Sequence, residues 1–489
     1  MTDLPDILDR DWSLLLGGRL QPAQSGRYYT DESPVTEEVI ARVPDGDAAD
    51  VAAAAAAAQE VAPRWRRVPP RERGALVGRL AQVLEDHAAE LALLDAIDGG
   101  HPVTGMSLDV AIGADMLRLF AGLGIELKGA TIPASAEHLH LTLREPFGVV
   151  GRIIPFNHPI MFAAGKIAAP LVAGNAVILK PPDSAPLSAL RMGELFADLL
   201  PAGVLSVVVG DGPATGRAIA RHPAIRRIGF IGSDATGRSI QRDAADVGVK
   251  EVTLELGGKN ALIAFPDADP ETVAASAVAG MNFARSAGQS CGSTSRLLLH
   301  ESVADDVVTR VAGRMAAIRI GSPLNPDTQM GTMASRAQYD KTLRYIRIAQ
   351  EEGARLLVGG GRPAGLAEER GLFVAPTLLD GVRPDMRVAR EEVFGPVLSV
   401  ITWKSEEEAI RIANAVDYGL TASVWTSDIR TAHRVAGALD AGYLWINGSS
   451  QHFAGVPFGG VKLSGVGREE SLEELLSYTQ LKTLNVMTG

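Results

Sequence analysis

Between Val149 and Gly257, short apolar runs alternate with stretches of helical periodicity. The runs are VVGRIIPF at 149–156, AVILK at 176–180, VLSVVVG at 204–210, IRRIGFIG at 225–232 and VTLEL at 252–256. Short runs of this kind, rich in β-branched residues, read as strands. Helix signals stand between them, such as Ser184 ahead of ALRMGELFADLL and Gly203 after it. The alternation predicts βαβ units and a Rossmann-like domain with helices on both faces of its sheet. A second series follows, with SRLLLH at 295–300, a helical stretch at 303–318 and β-rich runs near 397–402 and 420–426. It predicts a second α/β domain that begins close to Cys291.

Upstream, Asp47 to Ile97 is Ala-rich and nearly free of glycine. Asp47 suits an N-cap and Asp50 the first turn, so helices broken near Pro63 and Pro69-Pro70 are expected. Two segments fit neither domain. HLHLTLRE at 138–145 and YTQLKTLNV at 478–486 both alternate as strands do. Strands standing alone need partners, which predicts a small shared sheet or a subunit contact. His138 and His140 fall two apart on one face of the first and read as ordinary strand side chains.

At 489 residues the chain is too long for one core, so two or three domains are expected. Hydrophobic residues at 46% and charged residues at 21% are those of a globular protein. A net charge of -11 disfavours polyanionic partners, so no nucleic acid is expected. The short basic cluster Arg64, Arg66, Arg67, Arg71 and Arg73 reads as a solvated or interface face. Met1 to Leu20 carries Asp3, Asp6, Asp9 and Asp11 and has no basic start before an apolar run, so it reads as neither signal nor transit peptide. No apolar stretch is long enough to span a membrane, and a cytoplasmic enzyme is the expectation. A single cysteine excludes an internal disulfide and any multi-cysteine metal site, and no metal is expected.

That cysteine, Cys291, lies among small residues in Ser286-Ala-Gly-Gln-Ser-Cys-Gly-Ser293, which let the backbone bend and a substrate reach the sulfur. A lone cysteine is either a buried small hydrophobe or a nucleophile, and a nucleophile also needs activation. In Leu254-Glu255-Leu256-Gly257-Gly258-Lys259-Asn260 a carboxylate ends an apolar run directly before two glycines, where α/β proteins place ligands. Apolar neighbours should raise the pKa of Glu255 and suit it to general-base work, and a structural glutamate bonded to the Gly-Gly amides is the alternative. Asn157, in PFNHP, occupies a similar strand-end turn and by itself reads as a turn residue.

Taken together, IIPFNHP, VILKPP, GFIGSDATG, LELGGKN, GQSCGSTSR, EEVFGPV and PFGGVKLSGVGRE resemble, in order and spacing, the motifs of the aldehyde dehydrogenase superfamily over essentially the whole chain. The resemblance implies that Cys291 is the nucleophile, Glu255 the general base and Asn157 an oxyanion donor alongside the Cys291 amide. It implies NAD, with NADP as an alternative. Lys180 then meets the adenine ribose, Ser233 the pyrophosphate, Glu392 the nicotinamide ribose and Phe394 the ring. Ile154, Pro155, Gly212, Gly216, Phe230 and Leu256 complete the expected cofactor site. Asp183, three residues after Lys180, suits an acceptor for the ribose 2′-hydroxyl. The family's nucleotide fold is an irregular Rossmann variant, so Gly210-x-Gly212-x-x-x-Gly216 is not read as a phosphate fingerprint. The implied division is a cofactor-binding domain at 1–125 and 146–256, a catalytic domain at 257–457, and oligomerisation segments at 126–145 and 470–489 that build a dimer or tetramer. Two departures stand out, Ile231 in place of a common threonine and Thr294 in place of a common alanine, with tuning of loop packing expected.

The implied reaction is oxidation of an aldehyde to a carboxylate through a thioester on Cys291. A CoA-acylating dehydrogenase and a catalytically silent scaffold are the alternatives, and Glu255 favours hydrolysis over acyl transfer. The expected channel runs past His158, Met161, Phe162 and Gly165 on one side and Gln451, His452 and Phe453 on the other. Gly165 replaces a bulky aromatic of many relatives, which should open the channel to aromatic or medium-chain aldehydes. The sequence shows no Arg or Lys clamp there and no cage of several aromatics, which argues against charged aldehydes.

Overall fold

A computed structural model describes residues 6–487, so Asp3 and the last two residues of the 470–489 segment lie outside it. Two separate hydrophobic cores underlie the two α/β series. The first surrounds an eight-stranded sheet ordered Arg19–Gln21, Leu14–Leu16, Leu205–Val207, Ala176–Lys180, Val149–Ile153, Ile225–Ile231, Glu251–Glu255 and Gly465–Val466. Its five central strands are parallel, and both edges are closed by antiparallel pairs. The chain starts in the middle at Val149–Ile153, winds outward to Leu205–Val207, then crosses back to Ile225–Ile231. The order therefore reverses beside Val149–Ile153, and the carboxyl ends of strands at such a reversal form a natural crevice.

The second core surrounds a seven-stranded sheet in which Ala261–Ala264 sits between Arg296–His300 and Thr421–Trp425. The four-residue run ALIA is too short to read as a central strand from its pattern, yet its neighbours pair with it on both sides. His138–Pro146 pairs antiparallel with Thr479–Met487 over nine residues, so the two unplaced strands find each other within one chain. Thr131–Ile132 completes this small sheet.

Asp47 caps the helix Ala48–Trp65 and Asp50 reaches back to the Asp47 amide, a reciprocal cap that satisfies two otherwise orphaned donors. Pro63 lies in the last turn of this helix, which ends at Trp65, and after a short turn Pro70 opens the helix Pro70–Asp86, so the break falls between the two proline sites as expected. Arg73 departs from the solvated reading of its basic cluster. It is buried and donates to the carbonyls of Val172 and Val68. Among the described residues no helix is long and apolar enough to cross a membrane.

Candidate active site

Asn157 and Ser233 follow, and Glu255 forms, the carboxyl ends of neighbouring parallel strands, Val149–Ile153, Ile225–Ile231 and Glu251–Glu255. Cys291 comes from the other side, in the loop that leads into Arg296–His300. The two halves meet at a cavity of about 760 Å³ bordered by Glu255, Ser290, Cys291 and Gly292.

The residues of LELGGKN join the halves. Asn260 donates from its side-chain amide to the carbonyls of Cys291 (2.7 Å) and Ser293 (2.9 Å), fixing the cysteine loop from the far side. A side chain at Gly258 would strike the Cys291 carbonyl, and one at Gly257 would strike the Glu392 carboxylate, so both positions require glycine for close approach. The Gly258 amide donates to Glu392 at 2.8 Å. That amide is thus taken by Glu392 and not by Glu255, whose buried Oε1 has no hydrogen-bond partner among the described residues. Burial, and then the nearby charge of Glu469, push the Glu255 pKa well above its ordinary value against the pull of Lys166. The Cys291 thiol is half-buried. Burial first, then the charges of Glu255, Glu392 and Glu470, push its pKa up to about 12. Asn157 is buried in its turn, and its side-chain oxygen also lacks a partner.

The expected cofactor residues lie along the same crevice. Ile154 donates its amide to the Lys180 carbonyl. Lys180 is buried, donates to the Pro181 carbonyl, and has a pKa lowered by that burial against the charges of Asp183 and Asp211. Asp183 is exposed and, with Asp211 and Asp45, borders a separate cleft of about 590 Å³. Ser233 caps the helix Asp234–Ala245 by accepting from the Thr236 amide. The Gly232 backbone turns tightly over the buried Phe230 ring, and Leu256 is clasped by Gly237 of the following helix. Phe394 has a left-handed backbone, φ 59, and its ring stands edge-on to Phe156 at 5.8 Å. Gln338 holds this strained segment by donating to the carbonyls of Val393 and Phe394. Gly210 needs its missing side chain because the Gly46 carbonyl presses against it, whereas nothing lies within 4 Å of a Cβ at Gly212 or Gly216. The first glycine answers to packing against the Gly46 carbonyl. The donor set fits a dinucleotide: a helix N-terminus at Ser233, a buried cation at Lys180, and Glu392 with one oxygen committed and one left to accept hydroxyls.

The channel differs from expectation in three respects. Met161, His452 and Phe453 border the cavity, as do His158, Phe162 and Gln451, but Gly165 does not. A Cβ there would meet Met116 of the helix Val103–Leu123 at 3.4 Å, so Met116 occupies space that an aromatic at 165 would claim. Secondly, two cations border the cavity, Lys166 and Arg285. Lys166 pairs with Glu469 at 2.7 Å, and Glu469 also accepts from the buried Arg152 at 2.9 Å. Burial would raise the Glu469 pKa, but Arg152 and Lys166 outweigh it and hold the carboxyl at about 2. Thirdly, Phe162, Phe453 and Phe458 all face the cavity, with His452 packed on Phe458 at 4.5 Å. Ile231, expected only to tune packing, borders the cavity as well.

Some of these residues carried a readable signal. Lys166 is a lysine in an otherwise apolar helix, Pro159–Ala173, one turn beyond Phe162. Glu469 is the last residue of the motif PFGGVKLSGVGRE. Arg285 had no signal beyond its distance of six residues from Cys291.

Two α/β halves that meet over a lone thiol, a buried carboxyl and a nucleotide crevice define a dehydrogenase acting through a covalent intermediate. Residues 21–484 match the model of the aldehyde dehydrogenase family, and the chain belongs to that family. It is 46% identical over 493 residues to the aldehyde dehydrogenase tropH of Talaromyces stipitatus, covering 99% of this chain and 95% of that one. Among solved structures, PnpE from Pseudomonas sp. WBC-3 superposes with TM-score 0.95 at 39% identity, covering 98% of each chain. An NAD+ complex of aldehyde dehydrogenase from Bacillus cereus superposes with TM-score 0.96 at 37% identity, covering 99% of this chain and 98% of that one.

Proposed function

We propose that this aldehyde dehydrogenase oxidises aromatic or medium-chain aldehydes to carboxylic acids with NAD, through a thioester on Cys291. The observation that carries the substrate class is the size and lining of the cavity beside Cys291, about 760 Å³ walled by Met116, Met161, Phe162, Ile231, Phe453 and Phe458. Apolar contact of this kind gains roughly 25 cal/mol per Å² buried, which a two-carbon aldehyde cannot exploit.

In this reading Cys291, its thiol proton first released to solvent, attacks the aldehyde carbon as the thiolate. The side-chain amide of Asn157 and the Cys291 backbone N–H hold the resulting oxyanion, each such donor being worth roughly a hundredfold to a thousandfold in rate. Bound NAD supplies the hydride acceptor. Lys180 and Asp183 hold its adenosine ribose, Ser233 its pyrophosphate, Glu392 its second ribose and Phe394 the ring. Glu255, acting as its carboxylate, then takes a proton from the water that attacks the thioester, releasing the acid and returning Cys291; its burial raises its affinity for that proton. A water-activating carboxyl at this position supports hydrolysis over transfer to CoA. The charges of Asp183 and Asp211, both near enough to act on Lys180, support NAD over NADP, because they would repel a 2′-phosphate.

The two separate cores support a division into a cofactor-binding and a catalytic domain, with Leu475 and Tyr478 of the 470–489 segment packed in the first core. Oligomerisation through the small sheet is supported by the exposed Leu139, Leu143, Leu481, Val486 and Met487 on its paired strands. We place the enzyme in the cytoplasm. The test is an aldehyde panel followed by NADH absorbance. Benzaldehyde-like or medium-chain aldehydes should lead in kcat/KM, and a tenfold lead for acetaldehyde would overturn the substrate class.

A further inference from the structure

Arg152 is an arginine inside a parallel sheet, in the strand Val149–Ile153 that leads to Asn157 and has a parallel neighbour on each side. Its side chain is buried, where a charge persists only if it is paired. The next strand makes room for it. Gly229 stands opposite in register, and a Cβ there would strike the guanidinium. Both terminal nitrogens donate to one oxygen of Glu469 at 2.9 Å, and Nη1 also meets the Tyr478 hydroxyl at 2.9 Å. The other Glu469 oxygen takes Lys166 Nζ at 2.7 Å. A line of charges thus runs from the sheet interior to the cavity wall, where Glu469 and Lys166 stand with Glu255.

The charges around that wall decide what the line does. Glu469 and Glu470 oppose ionisation of Glu255, whereas Lys166 and Arg468 favour it. Glu470 is partnered by His452 at 3.0 Å, and Arg468 donates to the carbonyls of Gly460 and Gly467. Behind them Glu474 accepts from the Glu470 amide at 2.8 Å, and burial lifts its carboxyl above the ordinary range. On the far side of Tyr478, Arg227 lies over the ring at 3.6 Å and donates to Ser477 and Thr253. Once Glu255 ionises, Lys166 has two carboxylates to balance. Arg152 supplies a second buried positive charge, so Glu469 is neutralised from behind and the Lys166 charge is left to act on Glu255. Without Arg152 the same wall carries one more net negative charge and holds more tightly the proton that Glu255 must release.

We propose that Arg152 is a positioning residue for the general base, acting through Glu469 and Lys166 to let Glu255 stand as a carboxylate near neutrality. This rests on the role given to Glu255 above. Arg152 itself does not border the cavity, so it meets neither aldehyde nor thioester. Its effect is confined to the pH at which hydrolysis becomes fast.

The test mixes enzyme, NAD and benzaldehyde and follows decay of the acyl-enzyme, by rapid quench and mass spectrometry, on both sides of neutrality. In the wild type the decay should quicken with pH as Glu255 ionises. Arg152→Met should carry that rise to higher pH by about one unit, so that hydrolysis is about tenfold slower on the acidic side and recovers at the alkaline end. Arg152→Lys keeps a cation against Glu469 and should bring the rise most of the way back. Gly229→Ala leaves every charge in the chain but forces the guanidinium off its line, so its rise should move in the same direction, and it carries the test if Arg152→Met does not fold. A merely structural Arg152 would slow hydrolysis by one factor at every pH and leave the midpoint of the rise in place, which overturns the proposal. So does an Arg152→Lys profile no closer to the wild type than that of Arg152→Met. An acyl-enzyme that decays as fast in Glu255→Gln as in the wild type would instead defeat the general-base reading itself.

Discussion

Cys291 shares its surroundings with three carboxylates, and that fixes how it behaves before any ligand arrives. With its pKa pushed to about 12 by burial and then by Glu255, Glu392 and Glu470, the resting group is a thiol. Because it is the sole cysteine, alkylation by iodoacetamide reports on it alone. The labelling rate of the free enzyme should climb about tenfold per pH unit from 7 to 10 without levelling off. A plateau by pH 8 would mean that an unseen cation lowers the pKa. Glu255 makes a complementary forecast. Glu255→Gln should release one equivalent of NADH in a burst and then stall, since general-base help is typically worth roughly a hundredfold to ten-thousandfold. Loss of the burst would assign Glu255 to a step before thioester hydrolysis. Because the Glu255 pKa is raised, steady-state turnover in the wild type should increase with pH through neutrality if hydrolysis limits the rate.

At the scale of elements, the helix Pro159–Ala173 carries both what the sequence disclosed and what it withheld. Its position after a β strand and the Asn157 turn was legible from the apolar pattern, because period and punctuation are local properties. Its environment was not, because which residue faces the 165 gap depends on the helix Val103–Leu123 packing across it, and Met116 is remote in sequence. The same limit hid the aromatic wall completed by Phe458 and the ion pair of Lys166 with Glu469. It also hid the central strand Ala261–Ala264, whose strand character comes from neighbours on both sides and not from its four residues. The corrected packing changes what Gly165→Trp should do. The indole has to displace Met116, so the variant should lose stability by roughly 1–3 kcal/mol, read as a lowered urea midpoint, as well as activity toward aromatic aldehydes. An unchanged midpoint with unchanged aromatic preference would show that Met116 yields freely and that position 165 does not shape the channel.

Across the whole molecule, the small sheet turns chemistry into assembly. His138–Pro146 and Thr479–Met487 satisfy each other's inner edges, yet the outer edge of Thr479–Met487 has no partner strand among the described residues, and Leu481 and Met487 are more than half exposed. An open apolar edge is a template for a further strand, and a second copy of this chain is the partner proposed for it. Light scattering at micromolar concentration should give at least twice the chain mass of 51.4 kDa. Placing a lysine at Leu481 should drive the mass toward one chain, whereas a wild type already monomeric would remove the small sheet from the assembly.

The strand Gly465–Val466 closes the first sheet by lying antiparallel against Leu254 and Glu255, some two hundred positions earlier in the chain. During synthesis, then, the edge strand beside Glu255 is the last piece of that sheet to leave the ribosome. Until it arrives, the Glu251–Glu255 strand has a bare flank, and the enclosure around Glu255, including Gly459 pressed against its carboxylate, does not exist. Nearly the whole polypeptide has to emerge before the catalytic centre can assemble. A nascent chain stalled before residue 460 should therefore hold a folded nucleotide crevice that carries no dehydrogenase activity, with an aggregation-prone edge that a chaperone would be expected to shield.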